Sequence, residues 1–92
     1  MTIVVSQDVF LHVKRVLHVK DYVLRVEFTD DVVKDVDLKE ELFGEIFEPL
    51  RDSSFFEQAT VKDETQTVEW PNGADFAPEF LYEIGKEVRQ IA

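Results

Sequence analysis

The sequence predicts an α+β domain: an antiparallel sheet, made of a three-strand meander plus a second hairpin, with short helical turns and one C-terminal amphipathic helix. Three observations support this fold class. Residues 12–19 are rich in β-branched and apolar residues, and apolar residues alternate with polar ones in residues 22–28, at the end of residues 32–38, and in residues 59–63 and 66–70, as in half-buried strands. Polar turn residues separate these stretches. From Pro78 onward the apolar spacing changes to three or four residues, as in a helix lying on a sheet.

The meander occupies residues 12–19, 22–28 and 32–38, with polar turns between its strands. In the second strand, Leu24, Val26 and Phe28 share one face and should point into the core. Short turns between consecutive strands favour antiparallel neighbours. We therefore expect these three strands to pair in sequence order.

The middle of the chain, residues 38–58, has helical propensity but contains Gly44 and Pro49, so short helical turns are expected rather than one helix. Asp52 or Ser53 can cap a brief helix. That helix would carry Phe55 and Phe56, the residues expected to close the end of the sheet.

The second hairpin is predicted over residues 59–63 and 66–70, and its inward candidates are Val61, Val68 and Trp70. A C-terminal amphipathic helix should follow from Pro78. Its apolar face is formed by Phe80, Leu81, Ile84, Val88 and Ile91.

The length and composition predict one folded domain over residues 1–92. A chain of 92 residues buries only about 60–65% of its extended surface, so one core must supply the stability. Apolar residues make up 45% of the chain, enough for such a core. The sequence contains no cysteine, which excludes disulfides and thiolate chemistry. An apolar run of only three residues, 3–5, near the N-terminus and the lack of any long apolar window predict a cytoplasmic protein that does not enter the membrane.

The formal charge is −10, from 20 acidic and 10 basic side chains. Such a surface repels phosphate backbones and anionic lipid, so nucleic-acid binding is disfavoured. The N-terminal part is locally basic, and Lys14, Arg15 and Lys20 could form the one patch that contradicts this expectation. The acidic surface is explained either by solubility or by a cationic protein partner.

Several stretches resemble the bacterial family called domain of unknown function 2442. The similarity extends over about residues 12–83, and its most specific pieces are FEPLRD at residues 47–52, the following Phe56, and WPNGAD at residues 70–75. Two turns depart from the family pattern: Asp30-Asp31 stands where Asp-Gly is frequent, and Ala77 stands where a small polar residue often precedes the helix proline.

The resemblance implies a small bacterial domain without an established activity. Members resemble stand-alone domains or are fused to a repressor-type helix-turn-helix, and some occur beside small proteins in arrangements similar to toxin–antitoxin pairs. The resemblance therefore implies regulation or complex formation. No helix-turn-helix is expected within these 92 residues.

The WPNGAD stretch admits a structural and a functional interpretation. Pro71 ends a strand or lies on an edge, and Asn72-Gly73 suits a tight turn. Asp75 is expected to accept backbone N–H bonds there, and Trp70 to pack beneath with its indole N–H bonded. Alternatively, the turn presents Trp70, Asn72 and Asp75 to a ligand or partner.

The FEPLRD stretch contains Arg51, whose guanidinium can brace loops by pairing with Asp52 or Asp75, or can bind an anionic ligand. The candidate ligand- or partner-binding residues are thus Arg51, Trp70, Asn72 and Asp75.

No catalytic constellation is apparent in the sequence. His12 and His18 lie six positions apart on one strand, too far apart to share a metal. Ser53 and Ser54 lack a nucleophile-elbow motif. The acidic pairs lack the glycine-spaced pattern of a calcium loop, and the three glycines are isolated. We expect no catalytic residue, no metal and no cofactor.

The sequence favours a non-enzymatic protein-interaction or regulatory module that binds another protein or forms a homodimer through a strand edge or helix face. The alternative is a small ligand-binding or enzymatic domain whose site uses the WPNGAD loop and Arg51. A hollow lined by the four candidate side chains would favour this alternative, and an exposed apolar patch would favour a partner surface.

Overall fold

A computed structural model describes residues 11–88 of the chain. Its main sheet has four antiparallel strands in the order β1-β2-β3-β6, and β4 and β5 form a separate hairpin. The strands are β1 Val13–Lys20, β2 Val23–Phe28, β3 Val33–Asp37, β4 Thr60–Val61, β5 Val68–Glu69 and β6 Lys86–Glu87. This is the predicted α+β class with the predicted meander and second hairpin.

The meander turns use aspartates in a left-handed backbone conformation. Asp21 between β1 and β2 has φ 42°, and Asp31 between β2 and β3 has φ 71°. Aspartate tolerates this region better than most residues because its short side chain bonds locally. Asp31 thus occupies the left-handed position that glycine would otherwise fill, and the Asp30 carboxylate accepts a bond from the Val32 N–H at 3.0 Å.

The core lies on one face of the sheet, as the alternation predicts. Leu24, Val26 and Phe28 of β2 are fully buried, and so are Val36 and Leu38. Burying each such side chain contributes about 1.5–3 kcal/mol, so this face supplies much of the stability.

The middle of the chain forms the predicted short helical turns: 3-10 turns at Lys39–Glu41 and Glu48–Arg51, and the helix α1 at Ser53–Phe56. Of the two predicted caps, Asp52 is the one used, and its side chain accepts a bond from the Ser54 N–H at 3.0 Å. Phe56 is fully buried and closes the core, whereas Phe55 is partly buried against it.

The C-terminal helix α2 spans Pro78–Ile84, so its predicted continuation to Val88 is wrong, and Ile91 lies outside the described residues. Gly85 is extended, and β6 then pairs with β3, where the Val88 N–H bonds the Val33 carbonyl at 2.8 Å. Backbone hydrogen bonds to the free side of β3 replace further helical turns. Within residues 11–88, no helix has the length and hydropathy needed to span a bilayer.

Candidate functional site

Trp70 is part of the interior. It is only 1% exposed, and its indole N–H donates to the Phe56 carbonyl at 2.8 Å. Its ring lies 5.6 Å from the ring of Phe56 and 5.9 Å from that of Phe76, measured between centroids. A ligand in solvent could not contact this indole unless the fold opened.

Asn72 joins two loops. Its side-chain oxygen accepts a bond from the Ala74 N–H at 3.1 Å, which closes its own turn around Gly73. Its side-chain N–H₂ donates to the Ile46 carbonyl at 2.9 Å, 26 residues away in the sequence. The exposed Asn72 side chain therefore fixes a distant segment of backbone.

Asp75 does not perform the role expected for it in the turn. Its backbone bridges to Glu69, but its exposed side chain has no hydrogen-bond or ion-pair partner among residues 11–88. The Asn72 oxygen takes the Ala74 N–H instead, because an amide side chain two residues earlier reaches that group directly. Of the four candidates, Asp75 is thus the one that leaves its side chain free in the described structure.

Arg51 braces a loop through a backbone group rather than through a carboxylate. Its Nε donates to the Leu42 carbonyl at 2.7 Å, and its own carbonyl accepts a bond from the Tyr22 hydroxyl. Within the described part of the chain, neither Asp52 nor Asp75 lies within ion-pair distance of its guanidinium. Arg51 also borders a hollow of about 340 Å³, which is lined by Tyr22, Lys39, Glu40, Leu42 and Arg51.

An aromatic stack connects the WPNGAD turn to the segment that Arg51 and Asn72 hold. Phe76 stacks on Phe47 at 4.7 Å with 25° between the rings, and on Phe80 of α2 at 5.6 Å. The Phe76 carbonyl accepts a 2.6 Å bond from the buried hydroxyl of Thr67. Phe76 thus packs between Trp70 and Phe47 and links the core to the segment that contains Phe47.

These contacts converge on residues 42–47, called here the 42–47 loop. Arg51 holds the carbonyl of Leu42, Asn72 holds that of Ile46, and Phe47 is stacked on Phe76. Within the loop, the Gly44 carbonyl accepts the Phe47 N–H at 3.1 Å, and Gly44 has φ 93°. The loop backbone is therefore fixed at both ends and in its middle.

The 42–47 loop exposes two large apolar side chains, Phe43 at 65% and Ile46 at 49%. Our sequence analysis did not select either residue. The sequence feature that could have indicated them is the placement of Phe43 and Ile46 on either side of Gly44, in a stretch that has neither strand nor helix periodicity. Large apolar side chains exposed together in one short loop make that loop a candidate interaction surface.

The loop lies in an acidic environment. Glu40, Glu45 and Glu48 are exposed, and none of them makes an ion pair among the described residues. The nearby Asp52 has its pKa lowered, first by the hydrogen bond from the Ser54 hydroxyl and then by that from the Ser54 N–H.

In residues 11–88, no three histidine, aspartate or glutamate side chains are arranged to hold a metal ion.

Comparison with known protein families identifies a match that covers most of the chain. The family model described as Protein of unknown function (DUF2442) matches residues 13–87, a range that contains every candidate residue discussed above. Searches of curated proteins and of solved structures returned no match.

Proposed function

We propose that this chain, which belongs to the DUF2442 family of proteins of unknown function, is a non-enzymatic interaction module that binds another protein through its 42–47 loop. The family membership inferred from FEPLRD and WPNGAD is confirmed by the match over residues 13–87. The function itself rests on the way in which residues of both motifs hold one exposed apolar loop.

The carrying observation is the pair of hydrogen bonds at the ends of the loop. Arg51 of FEPLRD fixes the Leu42 carbonyl, and Asn72 of WPNGAD fixes the Ile46 carbonyl. A loop held in one conformation loses less conformational entropy when it binds, which strengthens binding. Exposed phenylalanine and isoleucine side chains then supply the apolar contact area, and truncated aromatic anchors are often the costliest changes at interfaces.

The alternative of a ligand-binding or enzymatic domain receives less support. It requires Arg51, Trp70, Asn72 and Asp75 to surround one accessible hollow. Trp70 is 1% exposed, and of the four candidates Arg51 alone is among the residues that line the hollow described above. Arg51 and Asn72 instead bond the two ends of the 42–47 loop, Trp70 packs in the interior, and the Asp75 side chain makes no bond among the described residues.

Nucleic-acid contact through the basic N-terminal patch is also less well supported. Lys14 lies 2.9 Å from the Asp31 carboxylate and 3.4 Å from that of Glu27, and Arg15 lies 2.8 Å from Glu27. These neighbours compensate much of the positive charge that a phosphate backbone would need. A protein therefore remains the proposed partner. We also propose a cytoplasmic location. The regulatory role that we propose is of the toxin–antitoxin-like kind that the family resemblance implies.

The proposal predicts that the double substitution Phe43→Ser/Ile46→Ser abolishes partner binding while leaving the fold intact. Both side chains are exposed, so the free energy of unfolding should change by no more than about 1 kcal/mol. Affinity capture from extract of the source cells should recover a protein with the wild type that the double variant does not retain. Once that partner has been purified, the double variant should bind it with an affinity about tenfold or more below that of the wild type.

A matched control is Leu17→Ser/Val19→Ser, which removes exposed apolar side chains from β1 rather than from the loop. If this control abolishes capture and the loop variant does not, the loop is not the binding surface. A homodimer formed through β1 would be the better explanation, and light scattering would detect it.

A further inference from the structure

We infer that the partner of the 42–47 loop presents a cationic segment that also carries an apolar side chain. This inference rests on the proposed function and adds the chemistry of the partner. It follows from the charges around the loop, from the exposure of Phe43 and Ile46, and from comparison of the possible occupants.

The local charge excess is negative even when the nearby cations are counted. Residues 39–52 contain five acidic side chains and two basic ones, which gives 2 − 5 = −3. Of the two cations, Arg51 already donates its Nε to the Leu42 carbonyl, and both Arg51 and Lys39 border the neighbouring hollow. This local negative charge adds to the net charge of −10 of the whole chain, so the electrostatic potential around the loop is negative.

The acidic side chains around the loop are available to a partner. Glu40, Glu45 and Glu48 are exposed and make no ion pair within the described range. Asp35 shows the contrasting case, because Arg25 contacts it at 2.8 Å and lowers its pKa. The loop differs from other unpaired carboxylates of the described surface, such as Asp63 and Glu64, because here the unpaired negative charge lies close in sequence to two exposed apolar side chains.

Among possible occupants, a cationic segment fits best. A second copy bound through the same loop would place acidic residues opposite identical acidic residues, because a two-fold interface pairs a surface with itself. Anionic lipid and nucleic acid would be repelled by the same charges. A partner with lysine or arginine around an apolar residue would match both the rim and the centre.

The test uses two short synthetic peptides that share the same leucine positions and carry either lysine or glutamate at every charged position. Binding to the full chain is followed by fluorescence anisotropy and by amide chemical shifts at about 50 mM and about 500 mM salt. The lysine peptide should bind, with shift changes centred on residues 43–48, and its affinity should fall about tenfold or more at the higher salt. The glutamate peptide should not bind.

The matched variants separate local charge from total charge. Glu45→Gln/Glu48→Gln should weaken the lysine peptide about fivefold or more, since it removes two rim charges. Asp63→Asn/Glu64→Gln removes the same charge from the exposed tip of the second hairpin, and the affinity should stay within about twofold.

Absence of lysine-peptide binding, equal binding of both peptides, or equal losses in the two charge variants would overturn the inference. The proposed function would survive any of these results if Phe43→Ser/Ile46→Ser still abolished capture of the protein partner. If that loop variant retained the partner, the proposed function would fail instead, so the two failures are distinguishable.

Discussion

Replacing Trp70 with alanine should lower the free energy of unfolding by about 3–5 kcal/mol, as expected for truncation of a buried aromatic. The indole is 1% exposed, contacts the rings of Phe56 and Phe76, and donates to the Phe56 carbonyl. Its loss leaves a cavity and removes the shorter of two hydrogen bonds that the Phe56 carbonyl accepts, the other coming from the Ala59 N–H at 3.3 Å. Native proteins have total free energies of unfolding of only about 5–15 kcal/mol. The substitution should therefore remove a large share of the stability of this domain.

Urea denaturation followed by far-ultraviolet circular dichroism measures this loss, because Trp70 is the only tryptophan and the variant has no indole fluorescence. Phe43→Ala is the matched control: it also truncates an aromatic residue, but one that is 65% exposed. The control should change the unfolding free energy by about 0.5 kcal/mol or less. A Trp70→Ala midpoint that moves no further than that of the control would contradict the buried position of the indole.

Replacing Gly85 with alanine should lower the unfolding free energy by about 1–3 kcal/mol through overpacking. A Cβ atom at this position would lie 2.9 Å from the Leu81 carbonyl oxygen, and 3.0 Å from both the Lys34 Cβ and the Val36 Cγ2. The Leu81 oxygen belongs to the backbone of α2 and cannot rotate away. Either α2 or β3 must shift, and the step from helix to β6 becomes strained.

The sign of this effect makes the test decisive. Gly85 has φ −74°, a conformation that alanine adopts easily. Without the clash, the substitution would therefore stabilise the protein by about 0.4–1 kcal/mol, because it restricts the unfolded chain. Equilibrium urea titration distinguishes the two signs, with the exposed Glu83→Ala in the same helix as the control. A stabilised Gly85→Ala variant would contradict the close approach of α2 to β3.

The meander was predictable because alternation along a strand reflects which face is buried. Leu24, Val26 and Phe28 occupy one face in the sequence and are all fully buried in the structure. β6 was not predictable, since Lys86 and Glu87 are exposed and charged. Its formation depends on the backbone side of β3 that does not pair with β2, to which the chain returns after α2 in sequence order.

The supporting residues of the site were predictable, but what they support was not. Residue type and motif identified three of the candidates that make specific side-chain hydrogen bonds in the structure, namely Arg51, Trp70 and Asn72. Their acceptors are backbone carbonyls, which every residue possesses, so the sequence contains no trace of the partner position. For the same reason the roles of Leu42 and Ile46 became visible only once the loop was placed.

The account depends most on the claim that the WPNGAD turn holds the 42–47 loop, and amide hydrogen exchange of Asn72→Asp tests it directly. Aspartate keeps the oxygen that accepts from Ala74 but lacks the donor that binds the Ile46 carbonyl. Exchange in residues 43–48 should become about tenfold faster than in the wild type, while β2 stays protected. Asp75→Asn, in the same turn, should change nothing. Unchanged exchange of the loop in Asn72→Asp would contradict the account.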